Sequence, residues 1–420
     1  MKTGVPTGDS NLTRARSASP RPVPPPPPAL GDAAFRLATA CCRPAGPDRD
    51  AAVRAAAASV DWSAFARVLA RHRVEGLAHE ALRQAGVEPA PTAAADLRRA
   101  ALEIAADGLR LAAESHRLQQ ALDAAGLANL VLKGATLDQL AWGRLGLKRA
   151  WDIDLLVLPA DAAAARSVLE GAGYRLMDPA DATKPAFATW VTLSKEAVFR
   201  KQEGGLTAEL HWRLTDTALL LPGLSAASAW QTVSLSDGLA LRTLAPTELF
   251  AYLCVHGATH AWSRLKWLAD LGGLLAAQDD DGRAHLYRRA CDLGAGRCPA
   301  SALLLCEALL GIALPRDVAL AIRGDAGARR LASLALEAMA GGGGAELDER
   351  RFFNDRIVLS QLLFARGWRF RFAEATRQSV SLHDRMTLRL PPALGFLYVL
   401  VRAPLWFWRR LGRRDGFRRS

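Results

Sequence analysis

The chain is 420 residues long, half of it hydrophobic and 23 % charged, which excludes a largely unfolded chain and leaves room for two or three domains. The formal net charge of +12 sits mostly at the two ends: Lys2, Arg14, Arg16 and Arg21 face only Asp9 in the first 30 residues, and six arginines face only Asp415 after residue 408. That distribution describes tails rather than a binding face, so nucleic acid is not an expected partner. The six cysteines (Cys41, Cys42, Cys254, Cys291, Cys298 and Cys306) form no CxxC pair, and the vicinal pair cannot easily bridge. They are expected to be reduced core residues. No apolar run follows the early Lys2, so no signal peptide is expected and the cytoplasm is the expected location.

Residues 1–31 are rich in Ser, Thr, Arg and Pro and end in the run Pro24–Pro28. They bury too little apolar surface to fold and read as a disordered tail, with a second use as a ligand for a proline-binding module. Residues 32–126 read as a helical region. Asp61 opens a helix on which Phe65, Val68 and Leu69 recur at helical spacing, followed by helices over Val74–Leu82 and Leu97–Leu122. His72 and His79 lie on these helices without an acidic or thiol partner, which favours a structural or surface role over metal binding.

At Leu127 the hydrophobic period changes. Ala128–Lys133 reads as a buried strand ended by Gly134, then come a helix over Thr136–Trp142 and a second strand over Trp151–Leu158. Asp161 is placed to cap the alanine-rich helix that runs to Gly171. Tyr174–Met177 reads as a strand, and Ala197–Lys201 and Leu206–Trp212 flank Glu203-Gly204-Gly205 as a hairpin. Residues 127–245 are thus a small mixed sheet with helices, and the fold class is α+β, with helical regions on both sides. Residues 246–420 read as helical to the end. Within them Gly341–Gly344 reads as a hinge, and Leu390–Trp408 is apolar and aromatic ahead of an arginine cluster. Arg402 and Pro404 interrupt that stretch, which favours packing on the protein's own helices over an interfacial membrane helix or a spanning one.

The chemistry centres on Asp152-Ile153-Asp154. On a strand, residues two apart share a face, so both carboxylates project together while Ile153 turns away. Two like charges on an otherwise apolar strand are costly, and a divalent cation compensates them; oxygen ligands suit Mg2+ or Mn2+. In Thr207–Leu214 the alternation places Ala208, Leu210, Trp212 and Leu214 on one face, and Thr207, Glu209, His211 and Arg213 on the other. If that strand lies beside the first, Glu209 completes a metal-carboxylate triad or serves as the base that takes a proton from an attacking hydroxyl. His211 on the same face either contacts substrate or is structural. Lys133-Gly134-Ala135 follows a strand and opens a helix, so its first N–H groups suit a triphosphate, and Lys133, Lys148 and Arg149 are placed to meet phosphates. His256 and His260 lie four apart, but Gly257 stands where a zinc protease carries glutamate. They are expected to pack the helix, or to line the cleft with Lys266 and Asp270.

These residues carry a resemblance. Leu132-Lys133-Gly134, Asp152 through Val157 and Glu209 through Trp212 resemble the uncharacterised nucleotidyltransferases of bacteria, within the DNA polymerase beta superfold. Asp61-Trp62 with Arg71-His72, the stretch His256–Asp270, and Leu390-Pro391 through Tyr398 and Arg402 fit as well. The chain differs from the superfold's usual pattern in carrying Gly134-Ala135 for Gly-Ser or Gly-Gly, and Glu209 where the third acid is often Asp. The resemblance implies a small mixed sheet with the metal site at one edge, and transfer of a nucleoside monophosphate from a triphosphate such as ATP to an acceptor, with loss of pyrophosphate. The acceptor would be a hydroxyl or phosphate on a small molecule, sugar or protein. Two other readings remain: a catalytically silent nucleotide-binding regulator, and a peripheral membrane scaffold working through the C-terminal segment.

Overall fold

The computed structural model describes residues 32–179, 183–340 and 354–379. The proline-rich tail, the Gly341–Gly344 hinge and the apolar C-terminal stretch expected from the sequence lie outside the described residues. Five helices come first: α1 (Ala33–Cys41), α2 (Pro47–Ala57), α3 (Trp62–His72), α4 (Glu75–Ala85) and the 34-residue α5 (Pro91–Ala124). Asp61 caps α3 by accepting the Ser63 N–H at 2.9 Å, and the helix ends at Arg73 in the left-handed conformation, φ 59°. His72 is fully buried, and its Nδ1 accepts the Leu265 N–H at 3.0 Å, so its role is structural as expected.

The sheet follows: β1 (Asn129–Val131), α6 (Ala135–Trp142), β2 (Asp152–Val157), α7 (Ala162–Gly171), β3 (Tyr174–Asp178), α8 (Lys184–Leu193), β4 (Glu196–Lys201) and β5 (Thr207–His211). Its strand order is β1-β2-β5-β4-β3. Only β2 and β5 run parallel, and the α7-to-β4 segment is the long crossover such a pair requires. Strand alternation splits the sheet's two faces. Ile153, Leu155 and Val157 of β2 pack with Leu118 and Leu122 of α5, Leu169 of α7 and Phe187 and Trp190 of α8 in one core. The opposite face presents Asp152, Asp154 and Leu156, and Leu156 joins the larger helical core.

A hairpin of β6 (Trp230–Ser236) and β7 (Leu239–Leu244) leads into α9 (Pro246–Thr259), α10 (Leu265–Ala276), α11 (Asp280–Asp292) and α12 (Cys298–Leu305). A π-helical turn at Cys306–Leu310, then α13 (Arg316–Gly324), α14 (Ala326–Ala340), α15 (Asn354–Ser360) and α16 (Trp368–Ser379) complete the described helices. The mixed sheet between helical flanks is the expected α+β fold. No helix among the described residues is long and apolar enough to cross a membrane.

Three local expectations are corrected. Asp161 closes a 3-10 turn, Pro159–Asp161, and its side chain makes no capping hydrogen bond, because the turn itself supplies the entry to α7. The β5 strand ends at His211, and Arg213 turns to donate to the carbonyls of Val191, Thr192 and Ser194. Cys291 is exposed near the end of α11, whereas the other five free cysteines are buried.

Candidate active site

Asp152 and Asp154 sit at the start of β2, directly beside β5 in the register Asp152↔Thr207 and Asp154↔Glu209. Parallel neighbours in register put their side chains on the same face, so Glu209 and His211 join the two aspartates there. One ligand atom from each of Asp154, Glu209 and His211 lies within 4.8 Å of the others. Asp152 lines the same cavity, a space of about 240 Å³ closed by the turn after β1 and by residues of α6, β4, α9 and α10. The carboxylate oxygens gathered on one face at this spacing fit a divalent cation.

Asp154 is 3 % exposed, and a carboxylate so buried needs compensation. Lys133 supplies one part: its Nζ lies 3.0 Å from Asp154 Oδ1. His211 supplies the other, with Nε2 3.1 Å from the same oxygen and Nδ1 2.9 Å from Glu196 Oε2. Burial works to raise the Asp154 pKa, but Lys133 and His211 outweigh it and hold the group well below the usual carboxylate range. Burial likewise works to lower the His211 pKa, yet Glu196 and Asp154 push it up to about 10. The imidazolium therefore donates to Glu196 on one side and Asp154 on the other. Among the described residues Asp152 is in no ion pair, and burial together with the Asp154 charge raises its pKa.

Gly134 forms the turn between β1 and α6 at φ 71°, ψ −124°, a conformation that L side chains avoid. A Cβ there would meet nothing within 4 Å, so conformation, not packing, requires the glycine, and the space it leaves open belongs to the cavity. Ala135 begins α6 directly after it.

Lys148 and Arg149 line the cavity but are already paired. Lys148 is buried between Asp138 of α6 and Asp270 of α10, the latter at 2.7 Å. Arg149 Nε lies 3.2 Å from Glu75 Oε1. Asp138 also accepts the Gly146 N–H at 2.9 Å, and Trp142 donates to Asp270 at 3.3 Å, so this cluster ties the loop before β2 to two helices.

His256 and His260 do line the cavity, together with Lys266, Trp267 and Asp270. Their ring centroids are 4.8 Å apart, and His260 stacks on Trp267 at 5.0 Å. Burial pushes the His260 pKa down to about 3 and lowers that of His256, so both rings are neutral. Arg73, Asp138, Lys195, Glu196 and Trp267 were not picked out from the sequence. Glu196 carried a signal, since antiparallel pairing of β4 with β5 sets it opposite His211.

In this α+β fold an interior strand of a small mixed sheet presents paired aspartates to a cavity, beside a third acid and after a glycine turn. The family described as uncharacterised nucleotidyltransferase matches residues 58–311, and the chain belongs to that family. The matched segment runs from the approach to α3 to the end of the π-helical turn and contains every residue of the cavity. No curated protein matches the chain.

Proposed function

We propose that this protein moves a nucleoside monophosphate from a nucleoside triphosphate to a hydroxyl or phosphate acceptor, with a divalent cation held at Asp152, Asp154 and Glu209. The observation that carries the reading is the register that sets Glu209 beside Asp154 on parallel strands, on a cavity bordered by the Gly134 turn. The acceptor oxygen forms a bond to the α-phosphorus, the bond to the β-phosphate oxygen breaks and pyrophosphate leaves; a hydroxyl acceptor gives up its proton to the Glu209 carboxylate or to water. Mg2+ or Mn2+ bound at the carboxylates supplies electrostatic stabilisation of the charge on the phosphates. The protein's own residues supply position. Glu196 orients His211, and His211 and Lys133 fix the Asp154 carboxylate. Gly134 and Ala135 give phosphate oxygens close access to backbone N–H groups at the start of α6. Lys148 and Arg149 serve the cavity wall through their carboxylate partners.

Calorimetry with each of the four ribonucleoside triphosphates, with and without magnesium, tests the reading. Magnesium-dependent binding of one or more of them is expected, and Asp152→Asn is expected to abolish it while the protein stays folded. A folded wild type that binds no triphosphate under either condition would sink the proposal.

A further inference from the structure

Among the described residues six cations line the cavity, and their partners divide them into two groups. Lys133 faces Asp154, Lys148 faces Asp138 and Asp270, Arg149 faces Glu75, and Lys195 faces Glu196. A cation already paired with a carboxylate in a poorly solvated site has little net field left for a further anion. Arg73 and Lys266 are placed differently: among the described residues, neither is in an ion pair.

Both come from the helical flanks rather than from the sheet. Arg73 is the left-handed residue that ends α3, and its guanidinium carbon lies 5.1 Å from the centroid of the Trp151 ring. That stacking holds the planar group in one orientation without using its N–H donors. Lys266 stands in the first turn of α10, with Nζ 5.8 Å from the Trp267 ring centroid. The start of α10, where His72 Nδ1 takes the Leu265 N–H, adds the positive end of its helix dipole beside the ammonium. Burial pushes the Lys266 pKa down to about 8, and the field of Asp152 offsets this only in part, so an anion set against it is stabilised.

We propose that Arg73 and Lys266 form the receptor for the terminal phosphates of a triphosphate substrate, while the four paired cations are counter-ions for the protein's own carboxylates. The inference rests on the cavity being the seat of a triphosphate, as proposed above. It assigns the tail of the substrate to the ends of α3 and α10, and leaves the α-phosphate to the strand carboxylates and the Gly134 turn.

Calorimetry on the full chain in magnesium buffer, with inorganic tripolyphosphate and with a nucleoside monophosphate as separate probes, tests it. Wild type is expected to bind tripolyphosphate. Lys266→Met and Arg73→Gln are each expected to lose affinity for it roughly ten- to a hundred-fold, the worth of a charge-assisted hydrogen bond. Both are expected to bind the monophosphate as wild type does. Lys266→Arg keeps the charge and is expected to retain most of the affinity, as is Lys195→Met, which removes a paired cation. Wild-type tripolyphosphate affinity in both Lys266→Met and Arg73→Gln, or no binding by folded wild type, overturns the receptor. Magnesium-dependent nucleoside triphosphate binding that survives both substitutions removes the receptor and leaves the transferase reading standing. Tripolyphosphate binding that depends on both residues, in a protein that transfers no nucleotide, keeps the receptor and removes the transferase.

Discussion

Replacing Lys148 by methionine separates a structural cation from a phosphate ligand. Lys148 is 7 % exposed and lies between Asp138 and Asp270, which come from α6 and α10. Burial works to lower the lysine's pKa, but the two carboxylates outweigh it, so the ammonium stays charged; burial raises the Asp270 pKa even with Lys148 beside it. Methionine fills a similar volume and leaves two buried carboxylates without a counter-charge. Breaking a buried ion pair from one side costs about 3–5 kcal/mol. At about 2–4 °C per kcal/mol, the melting temperature should fall by roughly 6–20 °C. Adding Asp138→Asn and Asp270→Asn to Lys148→Met removes all three charges together and should recover most of that loss, since replacing a whole buried ionic group is near neutral. Thermal unfolding followed by circular dichroism reads both variants. A Lys148→Met protein that melts with wild type yet no longer binds triphosphate would refute the reasoning, because it would make Lys148 a ligand rather than a strut.

Three other perturbations probe the frame around the site. Gly134→Ala should destabilise by about 1–3 kcal/mol despite the open space at its Cβ, because the cost is conformational; chemical denaturation checks it, and triphosphate affinity should fall with it. Gly273→Ala would bring a Cβ to 2.6 Å from the Ala141 carbonyl oxygen, forcing α10 away from α6. A loss of about 1–3 kcal/mol, the usual range for overpacking, is expected in the same assay. Glu114 of α5 accepts from Arg117 at 2.6 Å, Tyr174 at 2.9 Å and Lys201 at 3.0 Å. Burial works to raise its pKa, but these partners bring it down to about 2. A depressed folded-state pKa means stability that is complete above the ordinary value of 4.5 and lost as pH falls through about 2. After discounting for solvent screening this amounts to about 1–2 kcal/mol. Melting curves between pH 6 and 2 should therefore show a steeper acid loss in wild type than in Glu114→Gln.

What the sequence disclosed of the site follows strand geometry. The i, i+2 rule placed Asp152 with Asp154 and Glu209 with His211 before any pairing was known, and a clean alternation from Ala208 to Trp212 identified the buried face. The parallel pairing that joins the two strands required a crossover, and nothing local to either strand specifies it. Partners brought together by distant packing were not legible. Lys148 reads as a free basic residue until α10 delivers Asp270, and Arg73 reads as one more surface arginine until α3 ends in a left-handed turn. The β6–β7 hairpin carries a local signal as well, Asp237-Gly238 between two short runs, of which Leu239–Leu244 buries Leu241 and Leu244. The helix α8 was missed: Lys184-Pro185 opens it after Thr183, whose hydroxyl accepts the Ala186 N–H at 3.4 Å.

The way charge is distributed decides which aspartate can be used to interrogate the site. Asp154 is bound to Lys133 from the end of β1 and to His211 from β5, and His211 is bound in turn to Glu196 of β4. Removing the Asp154 charge leaves a buried ammonium and a buried imidazolium facing each other, so its substitution costs stability through three strands at once. Activity lost in an Asp154 variant would confound folding with chemistry. Asp152 stands on the same face of the same strand without an ion-pair partner among the described residues, and its pKa is raised rather than lowered. The protein therefore gains little stability from ionising Asp152, and the carboxylate is left for whatever cation the cavity receives. Asp152→Asn should leave the melting temperature near that of wild type, or raise it by easing repulsion with Asp154, while removing the cation's hold. A large fall in stability on that substitution would mean that Asp152 is part of the frame after all.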